Sequence, residues 1–380
     1  MKTTAAVRLT CEGHPGVMAL AREALAGLGV WDVTAQAGRA QIVREAKRHE
    51  SLFRGRGKLE ESRVEVLSAN LPRTCARQAL AAVIEKAKLD IPGRGSAYTE
   101  EIGLRRGRTA ALANPQGRRT APDRFLLSDL IGITCIVLRG EGSAVARLAL
   151  ELGTAVPVIT FGHGTGLRDR LGLLRVAIPA QKEMISIVAP EQDAYRIASI
   201  VADEAKLSQP GRGFLYLSRI GRGLLNTRIY AGVEHHAASM AQVVAAIDAL
   251  RGGTSWRSRF AAEEGGRRHP PDTLTRGMVN LTVHCNEGRM GLIVRAAMDA
   301  GAGGATTMRV SHLDGDAARS AGILPVREKT SLVIRAETAP RVIEALEAAG
   351  LHDPETAGQI EESACPAAHT YARRPARAGR

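Results

Sequence analysis

One short glycine-rich motif occurs twice in this sequence, and its residue types suit an anion. Pro92-Gly93-Arg94-Gly95 recurs as Pro210-Gly211-Arg212-Gly213. In both copies a helical apolar pattern precedes the motif and an aromatic residue follows it. Glycine lets backbone N–H groups approach an anion without a Cβ in the way, and arginine adds a forked donor suited to phosphate or carboxylate. The recurrence indicates that the chain consists of repeated units.

Two further glycine-bearing segments follow predicted second strands. They are Gly38-Arg39 and Gly162-His163-Gly164-Thr165, the latter opening a predicted loop. We expect each to lie near the turn before a fourth strand, at a shared sheet edge, and to form an anion cradle there. The alternative is that all of these segments are simply tight turns. The candidate ligand-binding residues are Gly38, Arg39, Gly93, Arg94, Gly95, Arg105, Gly162, Gly164, Thr165, Gly211, Arg212, Gly213 and Arg219.

The elements that would hold these turns come in a repeated order. Alternating apolar residues predict strands, and 3.6-residue periodicity predicts helices, in the order β-α-β-β-α-β within the first 103 residues. This is the order of a ferredoxin-like unit, whose sheet carries helices on one face only. The other face must be covered, commonly by a second sheet.

The same order returns twice more along the chain. The helix segments 147–153 and 295–301 align without a gap, but the third unit lacks the motif and has Ala357-Gly358-Gln359 in its place. The sequence therefore predicts an α+β fold of three tandem units. The predicted divisions are domain 1 (1–103) with a long basic loop (38–61), a linker (104–125), domain 2 (126–232), a helix and linker (233–276), a degenerate domain 3 (277–370) and a basic tail (371–380).

Composition limits the classes of function. The net charge of +13 allows nucleic acid, an anionic ligand or an acidic partner, although much of it lies in predicted linkers, where charge is usually just solvated. The five cysteines are scattered without a C-x-x-C pair, and His235-His236 lacks further ligands at metal spacing, so we expect no metal site. No Ser-His-Asp or Cys-His arrangement has supporting context. We expect a cytoplasmic protein that is not an enzyme and does not insert into a membrane.

Two segments resemble the P-II signalling proteins and their P-II-like relatives. Residues 47–55, Lys-Arg-His-Glu-Ser-Leu-Phe-Arg-Gly, resemble the family's long loop between strands two and three, and residues 91–98 resemble its glycine turn before strand four. Phe53 stands where some members carry a modifiable tyrosine. Ser96 and Phe214 replace the family's phosphate-binding lysine, for which Arg94 and Arg212 are the candidate substitutes.

The resemblance implies a single-chain pseudo-trimer, because P-II proteins are trimers with ligand clefts between subunits. It implies a regulatory protein that binds a small anionic effector between domains, with ATP, ADP or AMP as the first class to consider. It adds Gln41 to the ligand-binding residues and implies that loop 38–61 engages a protein partner such as a transporter or a metabolic enzyme. We expect fewer than three working clefts, with the third the weakest.

Two other functions compete with this one. Split β-α-β-β-α-β folds include RNA-binding sheets, but the strands here lack the exposed aromatic residues that stack bases. A scaffold protein without a small ligand is the other alternative, in which the glycine turns are purely structural.

Overall fold

The fold is described from a computed structural model, which covers residues 3–44, 58–91, 93–105, 126–166, 181–225, 247, 274–313 and 322–370. The central part of the predicted loop 38–61, nearly all of linker 104–125, most of segment 233–276 and the tail 371–380 lie outside these ranges, as does His235-His236. No helix in the described part of the chain is long and apolar enough to cross a membrane. The described residues form a mixed α+β structure dominated by antiparallel strands.

The first group of elements covers the first quarter of the chain. Its helices follow the periodic apolar residues of the sequence, and α1 begins with Pro15 in its first turn, where proline needs no N–H partner. The bounds are β1 Thr4–Gly13, α1 Pro15–Gly27, β2 Val33–Arg44, β3 Lys58–Pro72, α2 Arg73–Ala87 and β4 Gly95–Arg105.

The second and third groups follow in the same order of strands and helices. The second has β5 Leu130–Leu138, α3 Gly142–Glu151, β6 Val158–Thr165, β7 Gln181–Pro190, α4 Glu191–Glu204 and β8 Phe214–Ile220, followed by the short β9 Gly223–Leu224. The third has β10 Met278–Asn286, α5 Met290–Asp299, β11 Ala305–His312, β12 Val326–Arg335, a 3₁₀ turn Ala336–Thr338, α6 Ala339–Ala348, β13 Gln359–Cys365 and β14 Ala368–Thr370.

Within each group the first and third strands are central and the second and fourth are outer. The three orders are β4-β1-β3-β2, β8-β5-β7-β6 and β13-β10-β12-β11, all antiparallel. The outer strands also pair between groups. β2 joins β6, β6 joins β11 and β11 joins β2, while β13 joins β4.

Three separate apolar cores lie between these strands and their helices. Leu67, Ile187 and Leu332 are fully buried examples, one in each core. The strand faces on the side away from the helices are not exposed as in an open sheet, because they face one another around a common interior. The sequence-based expectation that these faces must be covered is met by the strands of the other groups.

The structure corrects two predicted element boundaries. The polar segment predicted to begin at Gly38 continues strand β2 through Arg44, and β3 already starts at Lys58, because these residues pair across the hairpin. The predicted loop Gly162-His163-Gly164-Thr165 is the end of strand β6, which pairs with β7 and with β11. Glycine-rich sequence predicts turns, but here partner strands on both sides hold it extended.

Candidate functional site

The two Pro-Gly-Arg-Gly copies have the same backbone, although Pro92 itself lies outside the described residues. Gly93 and Gly211 have φ angles of 84° and 76°, and Gly95 and Gly213 both have 146°. These values fall in the region that favours glycine. The sequence repeat is therefore also a conformational repeat.

Close packing accounts for the second glycine of each copy. A Cβ at Gly95 would overlap the carbonyl oxygen of Glu12, and one at Gly213 would overlap that of Ile136. Each turn thus lies directly against the end of the first strand of its own group. This packing requires glycine whether or not a ligand binds, which favours the tight-turn alternative at these two positions.

The shared sheet edge predicted for the anion cradle is wrong within each group. β2 and β4 are the two outer strands of the first group, with β1 and β3 between them, and β6 and β8 are separated in the same way. The two segments are therefore kept apart within a group by its first and third strands. Gly38-Arg39 of the first group instead meets the second group.

Arg39 lies in a cluster at this junction. Its guanidinium donates to Oγ of Ser143 at 2.9 Å and to Oε1 of Glu183 at 2.9 Å, pairs with Glu61, and lies 5.9 Å from the ring centre of Phe161. The other oxygen of Glu183 accepts from the backbone N–H of Gly142 at 2.7 Å, at the start of α3. The anion at this helix N-terminus is therefore one of the protein's own carboxylates.

The second glycine turn joins the same neighbourhood through the residue before α3. Nη2 of Arg212 lies 2.8 Å from Oε1 of Glu141. Arg39 and Arg212, two predicted ligand-binding cations, are thus each paired with a carboxylate. An incoming anion would have to displace Glu61 or Glu141, the partly exposed members of these pairs.

Gly38 and Gly162 lie where strands of different groups approach each other closely. A Cβ at Gly38 would lie 2.9 Å from the carbonyl oxygen of Ile159, and one at Gly162 would lie 2.9 Å from that of Thr307. Gly164 and Thr165 pair with Thr306 and Ala305 across the β6–β11 junction. These four predicted site residues bring strands of different groups together.

The remaining predicted site residues are scattered. Arg94 donates its Nε–H to the carbonyl oxygen of Ala87 at 2.9 Å. Arg105 lies 3.7 Å from Glu362, and the exposed Arg219 lies 3.3 Å from Glu191. Gln41 is buried on β2, and its Oε1 has no hydrogen-bond partner in the described part of the chain. These residues do not converge on one cradle.

A polar cleft of about 200 Å³ lies between the start of β2 and the third group. Asp32 and Thr34 line it from the first group, while Arg327, His352 and the segment 353–359 line it from the third. Arg327 donates to Oδ1 of Asn286 at 3.0 Å and to the carbonyl oxygen of Ala357 at 2.8 Å. The segment that replaces the missing glycine motif therefore forms one wall of this cleft.

Sequence reasoning missed the charged centre of the molecule. Arg8 lies 2.5 Å from Oε2 of Glu100 and 2.7 Å from Oε2 of Glu361. Oε1 of Glu361 in turn lies 3.0 Å from Nε2 of His284 and accepts from Nδ2 of Asn70 at 2.6 Å. This network joins the first and third groups, and Arg8 and Glu100 line a central cavity of about 130 Å³ together with strands of all three groups.

Several groups around this cavity have shifted pKa values. Burial raises the pKa of Glu12 to about 7, although the Tyr98 hydroxyl, which donates to Oε1 at 2.8 Å, opposes the shift. Burial lowers the pKa of Lys329 to about 8, and Arg8 adds to this effect while Glu361 and Glu100 oppose it. Burial also lowers the pKa of His284, which lines the neighbouring cleft and contacts Glu361, and this favours the neutral imidazole. Clusters of shifted groups occur at functional sites more often than elsewhere.

One sequence signal could have pointed to this centre. In β1, the apolar residues Leu9 and Cys11 alternate with Arg8, Thr10 and Glu12. Alternation usually separates a core face from a water-facing one. Here the polar face lines an enclosed interior instead. On β10 the neighbouring residues His284 and Cys285 face opposite ways: Cys285 lies in the third apolar core, and His284 lies against Glu361.

No protein-family model matches this chain, and no curated protein matches it significantly.

Proposed function

We propose that this chain is a P-II-like regulatory protein, built as a single-chain pseudo-trimer, that binds a small anionic effector in a cleft between its units. In this proposal the three groups are ferredoxin-like units, and each occupies the place of one subunit. The order of strands in each group, with the fourth and second strands outside the first and third, supports it.

The register between the second strands carries the proposal. Ser68, Ser186 and Ser331 occupy matching places in the third strands, and their partners on the second strands are Thr34, Val158 and Thr306. Six residues further along each second strand come Ala40, Gly164 and His312. Ala40 pairs with Val158, Gly164 with Thr306 and His312 with Thr34. Each unit thus joins the next with one offset, and the third joins the first, as in a closed threefold ring.

Pairing at the fourth strands, the other outer strands of the units, supports the same ring. A short strand after the fourth strand of the second and of the third unit, and the end of the fourth strand itself in the first, pairs with the fourth strand of another unit. β9 pairs with β4, β14 pairs with β8, and the end of β4 pairs with β13. Three units that resembled one another only by chance would have no reason to pair cyclically at both their second and their fourth strands.

The cleft between Thr34 and the segment 353–359 is the best candidate for the effector site. It lies between units, its volume suits a small anion or part of a nucleotide, and Arg327 and His352 supply donor groups. The sequence predicts that this third cleft is the weakest, because it lacks the glycine motif. Arg327 has partners within the protein, as the turn arginines of the other two units do, so an effector would compete with those partners in each cleft.

The scaffold alternative keeps one specific observation in its favour. Gly95 and Gly213 are explained by packing alone, as are Gly38 and Gly162. In a ligand-free scaffold, Gly213→Ala would lower stability and change nothing else.

Isothermal titration with ATP, ADP, AMP and cyclic AMP, together with the mass in solution, tests the proposal. We expect a monomer that binds at fewer than three sites. Arg327→Gln should weaken binding about 10-fold or more through the loss of a charged donor. Arg309→Gln is the matched control, because the partner of this exposed arginine among the described residues is Glu287, at the surface of the same unit.

The variants separate the possible outcomes. Weaker binding in Arg94→Gln or Arg212→Gln, with Arg327→Gln unchanged, would move the effector to the clefts that the sequence predicts. If neither a nucleotide nor inorganic phosphate binds, the effector proposal is overturned and the scaffold alternative remains. Strong, salt-dependent binding of generic RNA would favour the nucleic-acid alternative.

A further inference from the structure

The central cavity contains polar groups that have no partner within the described part of the chain. Glu100 and Asn280 are more than nine-tenths buried, with relative exposures of 6% and 3%, and both line the cavity. Oε1 of Glu100 and Oδ1 of Asn280 accept no hydrogen bond from any described residue. Such orphaned acceptors are costly in a protein interior unless a water or a ligand satisfies them.

A donor faces the same space. Lys329 lines the cavity, and Glu361 and Glu100 attract its ammonium electrostatically. The hydroxyls of Ser186 and Ser331 add neutral donors and acceptors at the walls. The cavity therefore offers a cation on β12 and, among the described residues, unpaired acceptors on β4 and β10.

The charges that line or touch the cavity nearly cancel. Arg8 and Lys329 are balanced by the carboxylates of Glu100 and Glu361, and both carboxylates contact Arg8. Glu12 also lines the cavity, but burial raises its pKa to about 7, so below that pH it is mostly neutral. A ligand with a net charge would disturb this balance among largely buried side chains. A ligand that is neutral overall, with a positive and a negative end, would suit both the cation and the unpaired acceptors.

We propose that this cavity binds one small zwitterion of the size of glycine or alanine. Its carboxylate would accept from Lys329, and its ammonium would donate to Oε1 of Glu100 and Oδ1 of Asn280. The volume of about 130 Å³ is that of about four water molecules at ~30 Å³ each, which is too small for a nucleotide. This site is separate from the effector cleft and does not depend on the regulatory proposal.

Titration of the full chain with glycine and alanine tests the site, with acetate and methylammonium as half-ligands. We expect one equivalent of glycine or alanine to bind, and each half-ligand to bind about 10- to 100-fold more weakly because it lacks one charged contact. Lys329→Met should weaken glycine binding to a similar degree. Lys206→Met, the same change at an exposed lysine, should leave it unchanged.

A second measurement covers the case in which Lys329→Met does not fold. In the wild-type chain, glycine should slow hydrogen–deuterium exchange in β1, β4 and β12, and an excess of ATP should not reverse this protection. Failure of both amino acids to bind would mean that the cavity holds water only and would overturn the proposal. Equal affinity for acetate and glycine, or unchanged binding in a folded Lys329→Met variant, would overturn it as well.

Discussion

At the scale of single residues, Glu12 should make stability depend on pH. Burial raises its pKa from the ordinary 4.5 to about 7 in the folded state. Between these two values the unfolded chain has lost the proton while the folded chain keeps it, so stability falls as pH rises and levels off above about 7. Glu12→Gln avoids this loss and keeps an acceptor for Tyr98. We expect its stability relative to wild type to rise by on the order of 3 kcal/mol between pH 4.5 and 8.

Urea unfolding at several pH values checks this expectation. Glu151→Gln, at an exposed position of α3, is the control and should show no such trend. If the difference between Glu12→Gln and wild type stayed constant across this range, Glu12 would titrate normally in the folded protein.

At the scale of elements, Arg39 holds β2 against the start of α3. Arg39→Ala leaves the buried Glu183 without its cation, although the Gly142 N–H still donates to it. We expect a loss of roughly 3 kcal/mol, since removing one partner of a buried pair leaves an uncompensated charge. Arg73→Ala breaks a pair with Glu101 in which both side chains are more than half exposed, and should cost less than about 1 kcal/mol.

Chemical denaturation of Arg39→Ala, of Arg73→Ala and of the double variant Arg39→Ala/Glu183→Gln measures the coupling between Arg39 and Glu183. The double variant should recover part of the loss. Equal effects of Arg39→Ala and Arg73→Ala would show that the junction cluster behaves as an ordinary surface pair.

The elements could be predicted from sequence because their signals are local. Helical periodicity predicts Ala21 and Leu25 on the apolar face of α1, and both are buried there; Met18, which the predicted face did not include, is buried beside them. The glycine turns can also be predicted from a few neighbouring residues. The contact between Arg8 and Glu361 joins positions 353 residues apart, and no pattern along one strand reveals a partner at such a distance. For the same reason, the sequence indicates that the sheet faces must be covered but not which charges meet in the interior.

At the scale of the whole molecule, the pairing between groups should make the three groups unfold together. β2 pairs with strands of both other groups, β4 pairs with β13 and β9, and Arg8 joins Glu361 across the interior. Loss of one group would expose unpaired strand edges and uncompensated charges on the other two. Leu67→Ala, Ile187→Ala and Leu332→Ala each remove fully buried atoms from a different core, and each should cost about 2–5 kcal/mol.

Hydrogen–deuterium exchange, read peptide by peptide, distinguishes coupled from independent groups. Ile187→Ala lies in the second core, yet it should speed the slowest exchange in β1 and β10 as much as in β5, because those amides exchange only when the whole molecule opens. Leu292→Ala, at a leucine that is 69% exposed, is the control and should leave all three unchanged. Faster exchange confined to the second group would mean that each group folds alone, and the three groups would then be independent domains.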